Sequence, residues 1–354
     1  MRTIMVTSTR PYTGKSAISV ALLRTLSERG HAVGYFKPYG TMPVYVDGML
    51  TDEDAHYVNR TLARPSALED VCPVVRSQGF VEAVLGGTSG GEMERVSSAF
   101  ARCAEGRDVM VVEGPTDCAQ GGAVGLSAPS VARMLDAHVV LVDRPGMRDV
   151  PEDTLAGAAL LGERLAGAIL NGVGEHQMSF VTERLAPFLE RRTIAVLGII
   201  PYDAELSSIT VGEIAEALDG TVLTASEHLD DPVETFMVGA MGQEKALRFF
   251  RRKQNKAVIT GGDRSDVQLA ALETSTRCIV LTGNMPPSRS VLARAEELGV
   301  PMILVDSDTL SAVERLDALL GRVHLHDERK AARIRALFEE RVDMTRLLET
   351  VGLT

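Results

Sequence analysis

Through the first half of the chain, short β-rich apolar runs alternate with stretches whose apolar positions recur every three to four residues. Residues 3–6 read as a strand, 15–29 as an amphipathic helix and 32–36 as the next strand, an order that predicts a parallel sheet. Further runs at 109–113, 139–143, 167–171 and 193–199 each leave room for a crossover helix. The pattern stops near residue 203 and then restarts. Helical periodicity over 211–218 and 243–251 brackets an extended segment at 221–223, strands follow at 257–260, 278–282 and 302–305, and a charged helix is expected over 327–348. These patterns predict a doubly wound, mainly parallel α/β domain over residues 1–205, a smaller α/β domain over 211–322 and a C-terminal helical segment over 327–354. No low-complexity segment or solenoid-type repeat interrupts them.

Composition narrows the function classes. The 354 residues are 45% hydrophobic and 24% charged, ordinary for globular protein. A net charge of −11 argues against a sequence-independent grip on nucleic acid, which needs a basic surface. The four cysteines, Cys72, Cys103, Cys118 and Cys278, form no CxxC pair, so neither a disulfide framework nor a zinc site is indicated. With no basic leader and no apolar run of membrane-spanning length, a cytoplasmic chain that does not engage the membrane is expected.

Candidate chemistry starts at the first strand. The segment Thr7-Ser8-Thr9-Arg10-Pro11-Tyr12-Thr13-Gly14-Lys15-Ser16 lies between a strand and a helix, the setting a phosphate-binding loop requires. The backbone N–H groups of Thr13, Gly14, Lys15, Ser16 and Ala17 and the helix N-terminus would surround phosphates, Lys15 would reach their outer oxygens and Ser16 would help hold magnesium. Where the usual pattern has glycine the chain has Thr9, and a related loop's earlier glycine is Ser8. A Gly-Lys-Ser at such a turn also serves simply as a helix start with a solvated lysine. Magnesium on a triphosphate needs carboxylates nearby. Glu113 ends the run 109–112 at the carboxyl edge of a strand, where open α/β sheets bind ligands, and Asp54 follows the second strand's loop. Lys37 ends the second strand at the same edge and could stabilise a transferring phosphoryl group. The plainer readings are a turn cap for Glu113, a solvated helix start for Asp54 and a surface lysine for Lys37.

Lys15-Ser16, Phe36-Lys37-Pro38, Asp54-Ala55, Val112-Glu113-Gly114 and Ala168-Ile169-Leu170-Asn171 together resemble dethiobiotin synthetase and its relatives, among them the N-terminal domain of long bacterial phosphotransacetylases. The resemblance covers roughly residues 1–205 and implies a P-loop NTPase-type fold. It implies that Ser16, Asp54 and Glu113 hold Mg2+, that Lys15 and Lys37 contact phosphate and a reacting group, and that Asn171 reads adenine. It also implies a homo-oligomer, a dimer being favoured. Residues 114–122, Gly-Pro-Thr-Asp-Cys-Ala-Gln-Gly-Gly, and Tyr39-Gly40-Thr41 depart from the synthetase pattern, so dethiobiotin synthesis itself is not expected.

Residues 211–322 resemble the DRTGG domain, through Val238-Gly239-Ala240-Met241, the run from Ile259 to Gln268 and Leu281-Thr282-Gly283-Asn284. Gly261, Gly262, Asp263 and Arg264 follow a strand and precede a helix, so they form either an anion-binding corner or a tight turn capped by Ser265. His324 and His326 alternate on a short segment and read as surface residues, no third metal ligand being evident. Two functions compete. One is an ATP-binding, nucleotide-responsive regulatory or accessory protein of phosphotransacetylase-like type, with acetyl transfer not expected from this length. The other is an ATP-dependent ligase that activates a small carboxylate, or a carbamate formed on an amine, as a mixed anhydride. The departures after Glu113 favour the first.

Overall fold

The computed structural model describes residues 1–147, 149–320 and 328–353. The chain divides into two compact units, residues 1–202 with 325–354 and residues 203–324. His324 and His326 lie outside the described residues.

The first unit is built on β1 (Arg2–Ser8), β2 (Val33–Phe36), a hairpin of β3 (Pro43–Val46) and β4 (Met49–Asp52), β5 (Val109–Glu113), β6 (His138–Asp143), β7 (Leu165–Val173) and β8 (Val196–Pro201). Six of these form one parallel sheet in the order β2-β5-β1-β6-β7-β8. Ile4–Val6, Val109–Val112 and Val139–Val142 are almost wholly buried, as expected of parallel strands covered on both faces. Register decides which residues meet at the carboxyl edge: Val6 lies opposite Glu113 and Phe36 opposite Val112, so Glu113, Lys37 and the loop after β1 share one end of the sheet. Helix α1 (Lys15–Glu28) crosses from β1 to β2.

The hairpin is absent from the sequence-level expectations. Its turn, Asp47-Gly48, has φ of 50° and 80°, the left-handed pair a two-residue hairpin demands. The hairpin matters because β4 delivers Asp52 to the N-cap of helix α2 (Glu53–Arg60), where its carboxylate accepts from the Ala55 N–H at 3.1 Å.

The expected single C-terminal helix is two, Glu328–Arg341 and Met344–Val351. The break has a backbone cause: Val342 bridges Gly198, and the Asp343 N–H donates to Leu197 O at 2.7 Å while its carboxylate caps the second helix. Ile334, Leu337 and Phe338 bury their apolar face in the first unit rather than forming a separate segment.

The second unit carries β9 (Ile209–Thr210), β10 (Thr221–Val222), β11 (Pro232–Val233), β12 (Thr235–Val238), β13 (Lys256–Gly261), β14 (Thr276–Thr282) and β15 (Met302–Leu304). Five form a sheet in the order β10-β15-β14-β13-β12, parallel except for β10, and β9 pairs with β11. Alternation splits its core in two: Ala257, Ile259, Cys278 and Val280 join one cluster, Val258, Ile279 and Leu281 the other. No helix among the described residues is long and apolar enough to cross a membrane.

Candidate functional site

The loop between β1 and α1 turns through Gly14 at φ +90°, and a Cβ there would stand 2.2 Å from Asn171 Nδ2. Only glycine satisfies both the left-handed backbone and the close approach. Asn171 braces the loop by donating to Thr13 O at 2.7 Å. Thr13 is buried and its hydroxyl has no partner among the described residues. The two positions where glycine was expected have acquired anchors instead. Ser8 Oγ donates to Thr116 O at 2.8 Å, and Thr9 Oγ1 donates to Asp143 Oδ1 at 2.7 Å. Asp143, buried at the end of β6, takes the Thr154 hydroxyl on its other oxygen at 2.7 Å. Segment 114–122 is likewise internally tied: Thr116 N–H donates to Gln120 Oε1, and the Ala119 and Gln120 N–H groups donate to Asp117 Oδ1, each at 2.8 Å.

At the head of α1, side chains converge. Ser16 Oγ lies 2.9 Å from Glu113 Oε1 and 3.2 Å from Asp54 Oδ2, its one proton available to either, and Lys15 Nζ lies 3.1 Å from the same Glu113 oxygen. Lys37 Nζ reaches Asp52 Oδ1 at 2.7 Å, Glu113 Oε1 at 3.2 Å and Asp54 Oδ2 at 3.4 Å. Tyr35 OH donates to Glu113 Oε2 at 3.0 Å. Asp52 is fully buried and spends its second oxygen on the Thr41 and Met42 N–H groups at 2.8 and 2.9 Å. Every oxygen of Asp52 and Glu113 is thus occupied, as buried carboxylates require.

Electrostatics follow from this packing. Burial alone would raise the Glu113 pKa, but the Lys15 and Lys37 ammonium groups pull it down to about 2. Burial would lower the Lys37 pKa, yet Asp52, Glu113 and Asp54 hold it well above the usual lysine range. Burial also raises the Asp54 pKa from its ordinary value, only partly opposed by Lys37. Desolvation and the neighbouring Glu113 charge push the Tyr35 phenol up.

Lys15, Ser16, Lys37, Asp54 and Glu113 therefore meet around one point, with Thr13, Gly14 and Asn171 at its edge; Ala17 contributes backbone in the first turn, its side chain buried. Lys37, 3% exposed, is no surface lysine. Sequence reasoning missed Asp52 and Tyr35. Asp52 left a signal as an acid in cap position before an Ala-containing helix, whereas Tyr35 sits in an apolar run and reads as core. Among the described residues no group of three or more His, Cys, Asp or Glu forms a ready metal cage. The donors at the point are two carboxylates and a hydroxyl, a hard-oxygen set that fits magnesium, which keeps waters and shares phosphate oxygens.

In the second unit the glycine corner is closed on itself. A Cβ on Gly262 would fall 1.6 Å from Met285 O, so the residue is fixed by a backbone approach. Gln268 Nε2 donates to Gly261 O and Gly262 O, both at 3.0 Å. Arg264 is the N-cap residue before the helix Ser265–Leu272; it grips Asp266 at 3.2 and 3.3 Å and donates to Met241 O at 3.0 Å. Ser265 is not the cap, and Asp263 faces Gly261 across the turn.

Residues 2–210 match the model of a family described as AAA domain. The chain belongs to that family. Residues 213–319 match the DRTGG domain. Over 378 aligned residues the chain is 26% identical to a phosphate acetyltransferase of Pseudomonas aeruginosa, covering 99% of this chain and 52% of the relative. It thus spans about half the length of the phosphate acetyltransferases it matches. An ATP-dependent dethiobiotin synthetase of Bacillus subtilis subsp. natto is 27% identical over 225 residues, 60% of this chain and 92% of the relative. Among solved structures, the cell division ATPase MinD of Pyrococcus furiosus aligns with a TM-score of 0.36 at 17% identity, over 58% of this chain and 85% of its own. The family match and the six-stranded parallel sheet agree on a P-loop NTPase-type α/β domain followed by a DRTGG domain.

Proposed function

We propose that the first unit binds ATP with Mg2+ at the head of α1 and that the chain is a nucleotide-responsive regulatory or accessory protein of phosphotransacetylase-like type. The observation that carries the nucleotide reading is the convergence of Lys15, Ser16, Asp54 and Glu113 where a strand, a left-handed glycine and a helix N-terminus meet. Phosphate entering the loop draws the Lys15 ammonium off Glu113 and takes the N–H groups of Gly14 to Ala17. Ser16, Asp54 and Glu113 hold the magnesium, which when bound neutralises phosphate charge. Asn171, already touching the loop, is the group offered to adenine.

Regulation rather than turnover is favoured by Lys37. Its ammonium is buried and committed to three carboxylates, so it orders the metal-binding acids instead of reaching a transferring phosphoryl group. Segment 114–122, which departs from the synthetase pattern, spends the Thr116, Ala119 and Gln120 N–H groups on its own side chains rather than offering them to a substrate. A ligase that makes an acyl phosphate has in its favour the similarity to an ATP-dependent dethiobiotin synthetase. Incubation with Mg-ATP and a panel of small carboxylic and amino acids, followed by phosphate and product analysis, separates the two. The regulatory reading expects negligible turnover with every compound; sustained ADP release dependent on one substrate would replace it with the ligase.

A further inference from the structure

At the opposite, amino-terminal end of β2 the first unit has a second cleft, of about 670 Å³. It is lined by α1 and the C-terminal half of α2: Val20 and Leu23 from one, Tyr57 and Val58 from the other, give it an apolar wall. Arg60, Arg64 and Arg107 line the rest, and an adjoining recess of about 390 Å³ shares Arg64 and Arg107.

The charges are unevenly settled. The two carboxylates in the lining are already matched, Glu28 by Arg335 and Glu328 by Arg24. In the adjoining recess Arg102 holds Asp70 at 2.6 Å. Arg60, Arg64 and Arg107 have no carboxylate partner among the described residues, although the whole chain carries a net charge of −11. Arg107 is fixed by its two terminal nitrogens on Val33 O, at 2.9 Å, and Arg64 O, while its Nε is enclosed with no partner among the described residues. Burial and then the Arg64 charge lower its pKa. Arg60 lies over the Tyr57 ring, 5.5 Å from its centroid. Uncompensated guanidinium groups over an apolar wall are what a small phosphate ester with an apolar body requires.

We infer that this cleft is an effector site for a phosphate-bearing small molecule, and that its occupancy is transmitted to the nucleotide loop through α1 and α2. The second half rests on the nucleotide reading above. The same two helices begin at the candidate site: α1 opens with Lys15 and Ser16, α2 with Glu53 and Asp54, and Ser16 Oγ bonds Asp54 at 3.2 Å. A body inserted between the two helices changes their spacing, and a shift of that contact alters the cradle for the metal and phosphates.

The test uses phenyl phosphate and inorganic phosphate as probes on the full chain. Titration is done first on Lys15→Ala, whose disabled loop keeps the phosphate from binding there. Phenyl phosphate is expected to bind this variant roughly tenfold or more tightly than it binds the same chain with Arg60→Ala and Arg64→Ala added, the scale of one lost charge-assisted contact. Inorganic phosphate, lacking the apolar body, is expected to bind more weakly than the ester. Both added substitutions are at exposed positions, and an unchanged thermal melt confirms that the fold survives. Absence of phenyl phosphate binding, or binding indifferent to the two arginines, overturns the site. In the otherwise native chain, saturating phenyl phosphate should change ATP affinity by about fivefold or more, an effect lost in the double arginine variant. Arginine-dependent binding with ATP affinity unchanged overturns the coupling. If ATP never binds, the nucleotide reading and the coupling fail together, while the titration on Lys15→Ala decides the anion site on its own.

Discussion

Two corners of this molecule share a plan: a parallel strand ends, glycine turns the backbone and a helix begins. After β1, Gly14 is pressed against Asn171 and the charged groups of four separate segments point at one shared centre. After β13, Gly262 is pressed against Met285 O, and the polar groups nearby are spent on the turn's own chain, Gln268 on two carbonyls and Arg264 on Asp266. The difference lies in what surrounds the glycine. A corner becomes a site when neighbouring strands bring charged side chains together at it, and remains a turn when local residues satisfy it. Gly261, Gly262, Asp263 and Arg264, which read equally as an anion-binding corner or a tight turn, carry the local hydrogen bonds of a turn.

The largest effect expected from this contrast is at Lys37. Replacing it by alanine leaves buried Asp52 and Glu113 without their ammonium, a loss of about 3–5 kcal/mol in urea unfolding. A loss below about 1 kcal/mol would mean the acids are solvated and the cluster is no buried network. Acid titration sharpens the same point. Glu113 has a folded pKa of about 2, below its ordinary value of 4.5, so its contribution is complete above 4.5 and disappears as pH falls through 2. Asp54, raised by burial, works with the opposite sign and blunts the effect. Stability of the native chain should drop over pH 4.5 to 2 more steeply than that of Glu113→Gln; parallel slopes would remove Glu113 from the network.

The second corner predicts backbone rather than charge effects. Gly262→Ala drives a methyl into Met285 O and should cost about 1–3 kcal/mol in the same unfolding assay, with Mg-ATP binding unaffected. Smallest of all is Arg264→Ala, which removes an exposed pair with Asp266 and should change stability by less than about 1 kcal/mol. A larger change, or lost ATP binding, would make that corner more than a turn.

Much of this was legible in the residues themselves. Parallel strands announced themselves as uninterrupted apolar runs, and a strand-loop-helix around Gly14-Lys15-Ser16 located the loop. Lys37, Asp54 and Glu113 were found because each closes or follows a strand, so the sheet edge implied their meeting. What the sequence could not display was compensation across segments. Thr9 and Ser8 look like defects in a glycine pattern until Asp143 and Thr116, more than a hundred residues away, are seen to receive them. Asp52 was hidden among adjacent acids and Tyr35 in an apolar run, because their roles depend on the register of β2 against β5 and on a hairpin turn at Asp47-Gly48. The break in the C-terminal helix similarly depends on hydrogen bonds to β8 that helical periodicity does not carry.

The central claim is that nucleotide binds at the first corner and not the second. Calorimetric titration of Mg-ATP into the native chain, Lys15→Ala and Arg264→Ala tests it directly. Saturable binding to the native chain and to Arg264→Ala with one shared affinity is expected, and a loss of roughly a hundredfold or more in Lys15→Ala, whose charge-assisted contacts to phosphate are gone. Binding that survives in Lys15→Ala, or that is lost in Arg264→Ala alone, would contradict it.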